Sequence, residues 1–277
     1  MKILSFDVGI KNLSFCIIDY INNENIKIMK WEVVDLCNEK HKCVEIKDNK
    51  PCNKIAKYHK NHLYFCQSHS KKKEYEVPPD HLREKIMKKT KLEELINITT
   101  NLNITIDKPF TKNKVIEKIN EYKSQHFFDI VDNIKATEHN LVELGINLKD
   151  KLDTRLQSQS LDTIDLVLIE NQISPIANRM KTIQGMIAQY LIMRGVKNIV
   201  FYSAINKLKT FIGGDKTSYS ERKDLSILYT NQILSKTNSL NEWNDYFNSH
   251  KKKDDLADSF LQGLSYLIQH FDINLKF

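Results

Sequence analysis

The first 36 residues contain three closely spaced apolar runs, and these constrain the fold more than any other feature of the chain. Two runs flank Gly9, Lys11 and Asn12 in "MKILSFDVGIKNLSFCIID", a pattern that predicts a β-hairpin. "IKIMKWEVVDL" (26–36) predicts a third strand. Three strands joined by short turns would form an antiparallel meander, that is, three neighbouring strands of one β-sheet.

Strands and helices alternate in the second half of the chain. "TIDLVLIENQ" (163–172) is a short continuous apolar run, typical of a buried strand. A helix ending at Gly195, the strand "NIVFYSA", a helix with Ser220 as its N-cap and a last amphipathic helix follow. Residues 127–157 show a looser helical pattern. A three-stranded meander followed by alternating strands and helices predicts an α/β fold with a mixed β-sheet flanked by helices.

The stretch from Cys37 to Thr90 is basic. It holds 14 Lys or Arg against 7 Asp or Glu, a difference of +7, which equals the net charge of the entire chain. A basic block confined to one segment predicts a surface that binds a polyanion. No apolar stretch approaches the length of a membrane span, and no membrane is expected as a partner. We expect a soluble, intracellular protein.

Four of the five cysteines lie close together in this basic stretch. Clustered cysteines in an intracellular chain favour metal binding over disulfides. Three thiolates and one imidazole suit a closed tetrahedral Zn²⁺ site, which would hold together a segment too small for its own core. The predicted ligands are Cys43, Cys52, Cys66 and His69, with Cys37 as a substitute and His59 and His62 as weaker candidates.

Four acids stand where an unpaired charge is costly. Asp7 lies inside "ILSFDVGI", and Glu170 ends "DLVLIE". Asp255 and Asp258 are three residues apart in the last helix and therefore share a face. Each has an ordinary explanation alone, such as a strand end or a favourable first helical turn. Together they predict a shared site in which Mg²⁺ removes the repulsion. Asp254 is an alternative to Asp255, because it also shares a face with Asp258.

These motifs carry a family resemblance. "FDVGIKNLSF", "LIENQ" and "KKKDDLADSF" resemble the motifs of Holliday junction resolvases with the RNase H-like fold, in the branch containing RuvC and the poxvirus resolvases. "NRMKTIQGMIAQY" is similar to the poxvirus-type pattern. The resemblance covers 1–36 and 137–277, and its specificity lies in the order of the acids. It implies an endonuclease for branched DNA, from a large DNA virus, acting in the host cytoplasm, a viral factory or the virion.

The resemblance also implies roles for residues. Asp7, Glu170, Asp255 and Asp258 would hold two Mg²⁺ ions, with Mn²⁺ as a substitute, during phosphodiester hydrolysis. A lysine near the scissile phosphate is expected, and Lys223 matches best, with Lys216 and Arg222 as competitors. Members of the family are dimers. The helix over 180–193, with Gly185 in its middle, would pack either on a second copy or on its own sheet.

"TKLEELINITTNLNITIDKPFTKNKVIEKINEY" resembles a SAP-type helix-extended-helix module, a small DNA-binding motif, although the usual glycine before the lysine is missing. A plain helical hairpin that braces the insertion is the alternative. The predicted domains are therefore a nuclease domain in two parts (1–36 and 126–277), a zinc-binding insertion (37–81) and a SAP-like module (82–125).

Two other functions are compatible with these sequence features. An ATPase of the actin or sugar-kinase type also begins with a strand, an aspartate and a glycine, but needs glycine-rich phosphate loops, for which only Gly213 and Gly214 are available. A non-catalytic DNA-binding protein on a nuclease fold is the second, and the complete set of acids argues against it.

Overall fold

The order of elements follows the apolar pattern described above. The computed structural model describes residues 1–22, 25–37, 41–131, 135–173, 178–212, 218–271 and 273. Its strands are β1 (Lys2–Asp7), β2 (Leu13–Asn22), β3 (Asn25–Val34), β4 (Ile46–Lys47), β5 (Lys50–Pro51), β6 (Tyr58–Lys60), β7 (Leu63–Phe65), β8 (Asp129–Ile130), β9 (Leu166–Glu170) and β10 (Ile199–Tyr202). Its helices are α1 (Gln67–Ser70), α2 (Glu84–Met87), α3 (Leu92–Asn101), α4 (Lys112–His126), α5 (Leu141–Leu156), α6 (Asn178–Met193), α7 (Asn206–Ile212), α8 (Tyr219–Lys236), α9 (Asn244–Ser249) and α10 (Lys253–His270).

These elements form two compact units. The sheet unit consists of 1–38 and 135–277, and the insertion consists of 39–134. Every strand of the insertion is three residues long or less, whereas β2 and β3 of the sheet unit each have ten. The larger hydrophobic cores therefore belong to the sheet unit.

The sheet unit is built on one five-stranded mixed sheet. Its strand order is β10-β9-β1-β2-β3. The strands β1, β2 and β3 pair antiparallel, as the hairpin pattern predicts, whereas β9 is parallel to β1 and β10 is parallel to β9. The parallel pairings place the carboxyl ends of β1, β9 and β10 at the same edge of the sheet.

Both faces of this sheet are covered by helices, because side chains alternate along each strand. Leu4 and Phe6 of β1 join one core with α5 and α6. Ile3 and Cys16 join the opposite core, to which α10, the last helix, contributes its apolar stripe. The predicted α/β fold with a mixed sheet flanked by helices is confirmed in this unit.

The insertion has its own small core. Leu95 of α3 and Val115 and Ile119 of α4 are fully buried against each other, as the apolar spacing predicts. The buried Lys60 of β6 donates hydrogen bonds from Nζ to the carbonyl oxygens of Ser124, at 2.6 Å, and Phe127, at 2.9 Å. These bonds join the β7-β6-β8 sheet to the end of α4. The division of this segment into zinc-binding and SAP-like modules stays a prediction.

Two local predictions are wrong. Ser218 rather than Ser220 caps α8, because the Ser218 hydroxyl accepts from the Glu221 N–H while the Glu221 carboxylate accepts from the Ser218 N–H. The helix expected over 127–157 spans only α5, since β8 pairs with β6 instead. Within the described ranges, no helix is both long and apolar enough to cross a membrane.

Candidate active site

Asp7 and Glu170 meet because of strand register. Phe6 of β1 lies directly opposite Ile169 of the parallel strand β9, so each carboxylate belongs to the next residue of its own strand. Both therefore stand at the carboxyl edge of the sheet, where ligands of open α/β sheets usually bind. The two acids singled out by sequence are thus neighbours, although 162 residues separate them in sequence.

The turn that follows Asp7 requires glycine. A Cβ atom added to Gly9 would lie 2.5 Å from the carbonyl oxygen of Asn12, which is backbone and cannot easily move aside. Glycine at this position lets the chain reverse two residues after the acid. The "DVGIKN" motif therefore has a structural cause for its glycine as well as a chemical one for its aspartate.

The first turns of α10 are fixed to the sheet by buried hydrogen bonds. Ser14 Oγ donates to the carbonyl oxygen of Asp255 at 2.5 Å, and Trp31 Nε1 donates to that of Leu256 at 2.9 Å. About two turns further on, the fully buried Gln262 donates from Nε2 to the carbonyl oxygens of Phe6, at 3.1 Å, and Leu168, at 3.3 Å. This helix therefore presents its acids at a defined position beside β1 and β9.

Lys207 of α7 lies among three of the predicted acids. Its Nζ is 2.5 Å from Asp7 Oδ1, 2.9 Å from Glu170 Oε1 and 3.6 Å from Asp258 Oδ2. The Lys207 side chain is only 6% exposed. Burial alone would lower its pKa, but the surrounding carboxylates raise the pKa above its ordinary value, so the lysine is charged. Asp7, Glu170 and Asp258 therefore form one cluster around a buried ammonium group.

The aspartates of this cluster are hard to ionise together. Burial, opposed by Lys207 and assisted by Glu170, raises the pKa of Asp7 from 3.8 to about 6. Burial and the nearby charges of Asp254 and Asp7 raise the pKa of Asp255 from 3.8 to about 6 as well. Burial also raises the pKa of Asp258, although Lys207 opposes it. One lysine thus leaves negative charge that is still uncompensated.

Asp254 has a separate partner. Lys223 Nζ lies 2.7 Å from Asp254 Oδ2. Burial tends to raise the pKa of Asp254, but this hydrogen bond and charge hold the pKa below its usual value. The Asp255 carboxylate is 3.8 Å from Lys252, and its Oδ2 is buried without a hydrogen-bond partner among the described residues. The structure therefore places Asp255, more than Asp254, on the side of Asp7.

The predicted catalytic lysine is not the one inside the cluster. Lys223 is placed beside Asp254, Arg222 is exposed, and Lys216 lies outside the described residues. Lys207 is not among the residues predicted from sequence, although the spacing of apolar residues in "INKLKTFI" indicates that it faces the core. Lys207 is one helical turn before Phe211, and Leu208 is one turn before Ile212, so the lysine occupies a position in the apolar stripe of α7.

Two further polar residues support the acids. Ser226 Oγ donates to Asp258 Oδ1 at 2.9 Å. Gln172 Nε2 donates to Glu170 Oε2 at 2.7 Å, and the N–H of Gln172 donates to Gln184 Oε1 of α6 at 2.9 Å. The position of these two residues at the site could not be predicted from sequence, because serine and glutamine are common in ordinary surface positions.

The donor set suits a hard divalent cation. The site offers carboxylate oxygens from β1, β9 and α10, which are the ligands that Mg²⁺ and Mn²⁺ prefer. Asp255 Oδ2, buried without a hydrogen-bond partner among the described residues, is an acceptor that a cation would satisfy. Burial and, to a lesser extent, neighbouring carboxylates raise the pKa of Asp7 and of Asp255, and a bound cation would lower both. The residues present therefore fit a metal ion.

The insertion contains a second group of potential ligands. The sulfur and nitrogen atoms of Cys43, Cys52, Cys66 and His69 all lie within 4.8 Å of one another. Cys52 Sγ is 3.9 Å from Cys66 Sγ, and His69 Nδ1 is 3.3 Å from Cys43 Sγ and 3.6 Å from Cys66 Sγ. A tetrahedron with Zn–S bonds of about 2.3 Å has edges of about 3.8 Å, so these separations fit one tetrahedral ion.

The local backbone favours thiolate at Cys66. Cys66 precedes the short helix α1, and although its burial raises the pKa, hydrogen bonds from Ser68 and from the N–H of His69 lower it to about 6. Cys37 packs against the hydrophobic core of the sheet unit and is not in the cluster. His59 and His62 are also outside it.

Two family models and a viral protein are similar to this chain in sequence. A family model described as Poxvirus A22 protein matches residues 111–270, and one described as Mitochondrial resolvase Ydc2 / RNA splicing MRS1 matches residues 3–184. An uncharacterized protein of Acanthamoeba polyphaga mimivirus is 28% identical over 317 residues, covering 96% of this chain and 74% of that protein.

Three resolvases are among the solved structures to which this chain is similar. The Fowlpox virus resolvase in complex with Holliday junction DNA is 16% identical, covers 98% of this chain and 99% of its own, and has a TM-score of 0.39. The yeast mitochondrial Holliday junction resolvase Ydc2 is 15% identical, with coverages of 96% and 78% and a TM-score of 0.40. Thermus thermophilus RuvC is 9% identical, with coverages of 98% and 97% and a TM-score of 0.43.

A mixed sheet with acids at the ends of β1 and β9 and on the last helix defines the RNase H-like nuclease class. Each family model covers more than half of the chain, which therefore belongs to the resolvase family of the poxvirus A22 proteins and the mitochondrial resolvase Ydc2. The predicted recognition, an RNase H-like Holliday junction resolvase, is confirmed, and the mimivirus relative supports a large DNA virus as the source. The ATPase alternative rested on Gly213 and Gly214, which lie outside the described residues.

Proposed function

We propose that this chain is a Mg²⁺-dependent endonuclease that cuts four-way DNA junctions at the carboxylate cluster of the sheet unit. The observation that carries the proposal is the convergence of Asp7, Glu170 and Asp258 on Lys207 Nζ, with Asp255 beside them. A buried cluster with excess negative charge, at the carboxyl edge of an α/β sheet, suits a catalytic metal site. The four-way junctions that it cuts would arise during viral DNA replication and recombination.

In this proposal Asp7, Glu170, Asp255 and Asp258 hold the divalent ions. Two bound ions would supply a nucleophile at neutral pH and would neutralise charge on the phosphodiester as it is hydrolysed. Gln172 and Ser226 orient the carboxylates of Glu170 and Asp258 through their hydrogen bonds. Asp254, held by Lys223, has no role as a ligand.

Lys207 is the cation nearest to the reacting centre. Its ammonium group lies among the ligand carboxylates, so its charge acts where negative charge would develop on the phosphate. We assign to Lys207 the catalytic role expected of a lysine, and to Lys223 the role of holding Asp254. This changes the residue expected from sequence but retains the chemistry.

The insertion is proposed to bind Zn²⁺ through Cys43, Cys52, Cys66 and His69, a structural site without an open position. The basic segment and the SAP-like helices would contribute to DNA affinity through phosphate contacts. We also propose a homodimer, since a four-way junction presents two opposed strands to be cut. The expected place of action is the host cytoplasm or viral factory.

The test is cleavage of a labelled four-way junction by wild-type protein in Mg²⁺, compared with linear duplex. Asp258→Asn and Glu170→Gln should abolish cleavage while retaining junction binding, since affinity comes mainly from lysine and arginine contacts to phosphates. Asp254→Asn is the matched control in the same helical turn and should cut normally. Cleavage at wild-type rates by Glu170→Gln would refute the assignment. Binding without any cleavage by the wild type would favour the non-catalytic DNA-binding alternative.

A further inference from the structure

Three aromatic rings lie against one another at the surface of the insertion. His59 of β6 and Tyr64 of β7 are directly paired across the two strands, with ring centroids 5.4 Å apart. The ring of His41 lies on Tyr64 with a centroid distance of 3.8 Å and an angle of only 13° between the planes. The His59 ring is tilted by 34° to the Tyr64 ring, so only His41 and Tyr64 are stacked face to face. The three rings in contact are here called the ring stack.

The ring stack ends in an open face. His41 is exposed, whereas His59 and Tyr64 are partly covered. In the described part of the chain, the imidazole of His41 has no hydrogen bond or ion pair, and its single ring contact is with Tyr64. One face of this ring packs on Tyr64, and among the described residues no other ring contacts it, so its outer face is available to another flat group.

The surroundings of the stack are basic. From His41 to Lys73 the chain carries nine lysines against Glu45 and Asp48. Lys57 is exposed and precedes His59 by two residues, and its N–H donates to Phe65 O at 2.9 Å, so the strand pairing continues to this point. Since side chains alternate along a strand, Lys57 shares the face of His59. Two of these lysines are engaged, Lys60 with backbone carbonyl oxygens and Lys73 with Glu45, and the exposed Asp129 is paired with His59 across β6 and β8. The remaining lysines still leave the border of the ring stack positively charged overall.

The metal ligands hold the two segments that carry the stack. His41 precedes Cys43 by two residues, and Tyr64 precedes Cys66 by two residues. The backbone N–H of Val44 also donates to the carbonyl oxygen of Tyr64 at 2.9 Å. Contacts between Cys43, Cys66 and His69 thus keep the His41 and Tyr64 segments together. A rigid platform binds with less loss of conformational entropy than a mobile one.

We propose that the ring stack binds an unpaired nucleobase of DNA, which stacks on the open face of His41 while the adjoining phosphates contact lysines of the insertion. The inference rests on the proposed function, because a branched junction is where such a chain would meet bases outside a duplex. Stacking on aromatic rings together with a basic border is the usual means of binding single-stranded DNA, and it tolerates every base. An acidic peptide would use the lysines but would gain nothing from the rings.

The test measures the binding of a fluorescein-labelled oligo(dT) strand to the full-length zinc-loaded protein, without added Mg²⁺ or Mn²⁺ so that no cleavage occurs. His41→Ala should weaken binding by roughly tenfold, and Tyr64→Leu should do the same by removing the support of the stack. Plots of affinity against salt should stay parallel to the wild type, since no phosphate contact is lost. His62→Asn, an exposed histidine in the β6–β7 turn with positive φ, is the control and should bind normally.

Several results would overturn this inference. Equal binding of oligo(dT) by His41→Ala and wild type would do so, as would equal wild-type affinity for an abasic strand of the same length. Displacement of oligo(dT) by polyglutamate that is equally effective on wild type and His41→Ala would show binding by charge alone. Zinc content and thermal unfolding of each variant establish that its insertion is folded. Junction cleavage by the wild type is scored separately, so the nuclease proposal and this one can fail independently.

Discussion

Lys207 Nζ lies 2.5 Å from Asp7 Oδ1 in the interior of the sheet unit, joining residues 200 positions apart in the chain. The same nitrogen also contacts Glu170 and Asp258. A lysine in this position acts as an internal counter-ion, because it keeps three partly buried carboxylates from being left without positive charge. The stability of the protein without metal should therefore depend on Lys207.

Replacing Lys207 by Met removes the charge and retains most of the side-chain volume. We expect Lys207→Met to lower the free energy of unfolding by about 3–5 kcal/mol in EDTA, because buried charges lose their partner. Mg²⁺ should restore part of this loss by supplying positive charge to the folded state alone. Urea denaturation with and without Mg²⁺ measures both effects.

Lys223→Met is the matched control for that experiment. The Lys223 side chain is 39% exposed, so its pair with Asp254 should contribute at most about 1 kcal/mol. Equal losses of stability in the two lysine variants would contradict the position given to Lys207.

The pH dependence of stability should report Asp255. Its pKa is raised in the folded protein from 3.8 to about 6, so between these values the folded state holds protons that the unfolded chain has released. The contribution of this group to the free energy of unfolding therefore falls as pH rises from about 4 through about 6. Asp255→Asn should lose this contribution and become more stable relative to wild type as pH rises.

That comparison is made by chemical denaturation in EDTA across the same pH window. The quantity of interest is the difference between wild type and Asp255→Asn, since other groups titrate in both proteins. Saturating Mg²⁺ should reduce the wild-type decline, because the ion binds the ionised carboxylate. A difference that is constant with pH would mean that Asp255 is not buried near other negative charges.

The acids and the cysteines can be predicted from the sequence because each type stands out locally. Asp7 and Glu170 interrupt apolar runs, and the cysteines crowd into a short basic segment. Lys207 does not stand out, since lysine is abundant and its partners come from distant strands. The stack of His41 on Tyr64 depends on strand register, which short and irregular strands do not encode in a readable pattern.

The folding of the insertion should depend on its metal ligands. Cys52→Ser removes one thiolate of the cluster, so we expect the protein to lose its bound zinc, which should be about one ion per chain. The insertion should then become sensitive to protease while the sheet unit stays resistant, because the sheet unit has its own cores. Elemental analysis and limited proteolysis measure the two effects.

Cys37→Ser is the matched control for zinc. Cys37 packs at the core of the sheet unit and is not among the clustered ligands, so its removal should leave the zinc content unchanged. Loss of zinc in Cys37→Ser, or full retention in Cys52→Ser, would require a different set of ligands.

Gly185 tests the proposed homodimer. It lies in the middle of α6, whose Ile183, Ile187 and Leu191 pack on the sheet of the same chain, as one of the two sequence interpretations expects. Gly185 itself is exposed, and a Cβ atom built on it meets nothing within 4 Å. Glycine within a helix costs about 1 kcal/mol relative to alanine, and no contact within the described chain requires it.

A second copy packed closely on this face would give the glycine a purpose. Gly185→Ala should then raise the stability of the monomer by about 1 kcal/mol through helix propensity, yet weaken dimerisation, because the methyl group would hold the two helices apart. Gly145→Ala in α5 is the control, since its Cβ would make ordinary contact with Met186 at 3.5 Å inside the same chain. It should stabilise the fold without affecting association. Sedimentation equilibrium and thermal unfolding separate these outcomes, and a dimer as strong in Gly185→Ala as in Gly145→Ala would place the interface on another surface.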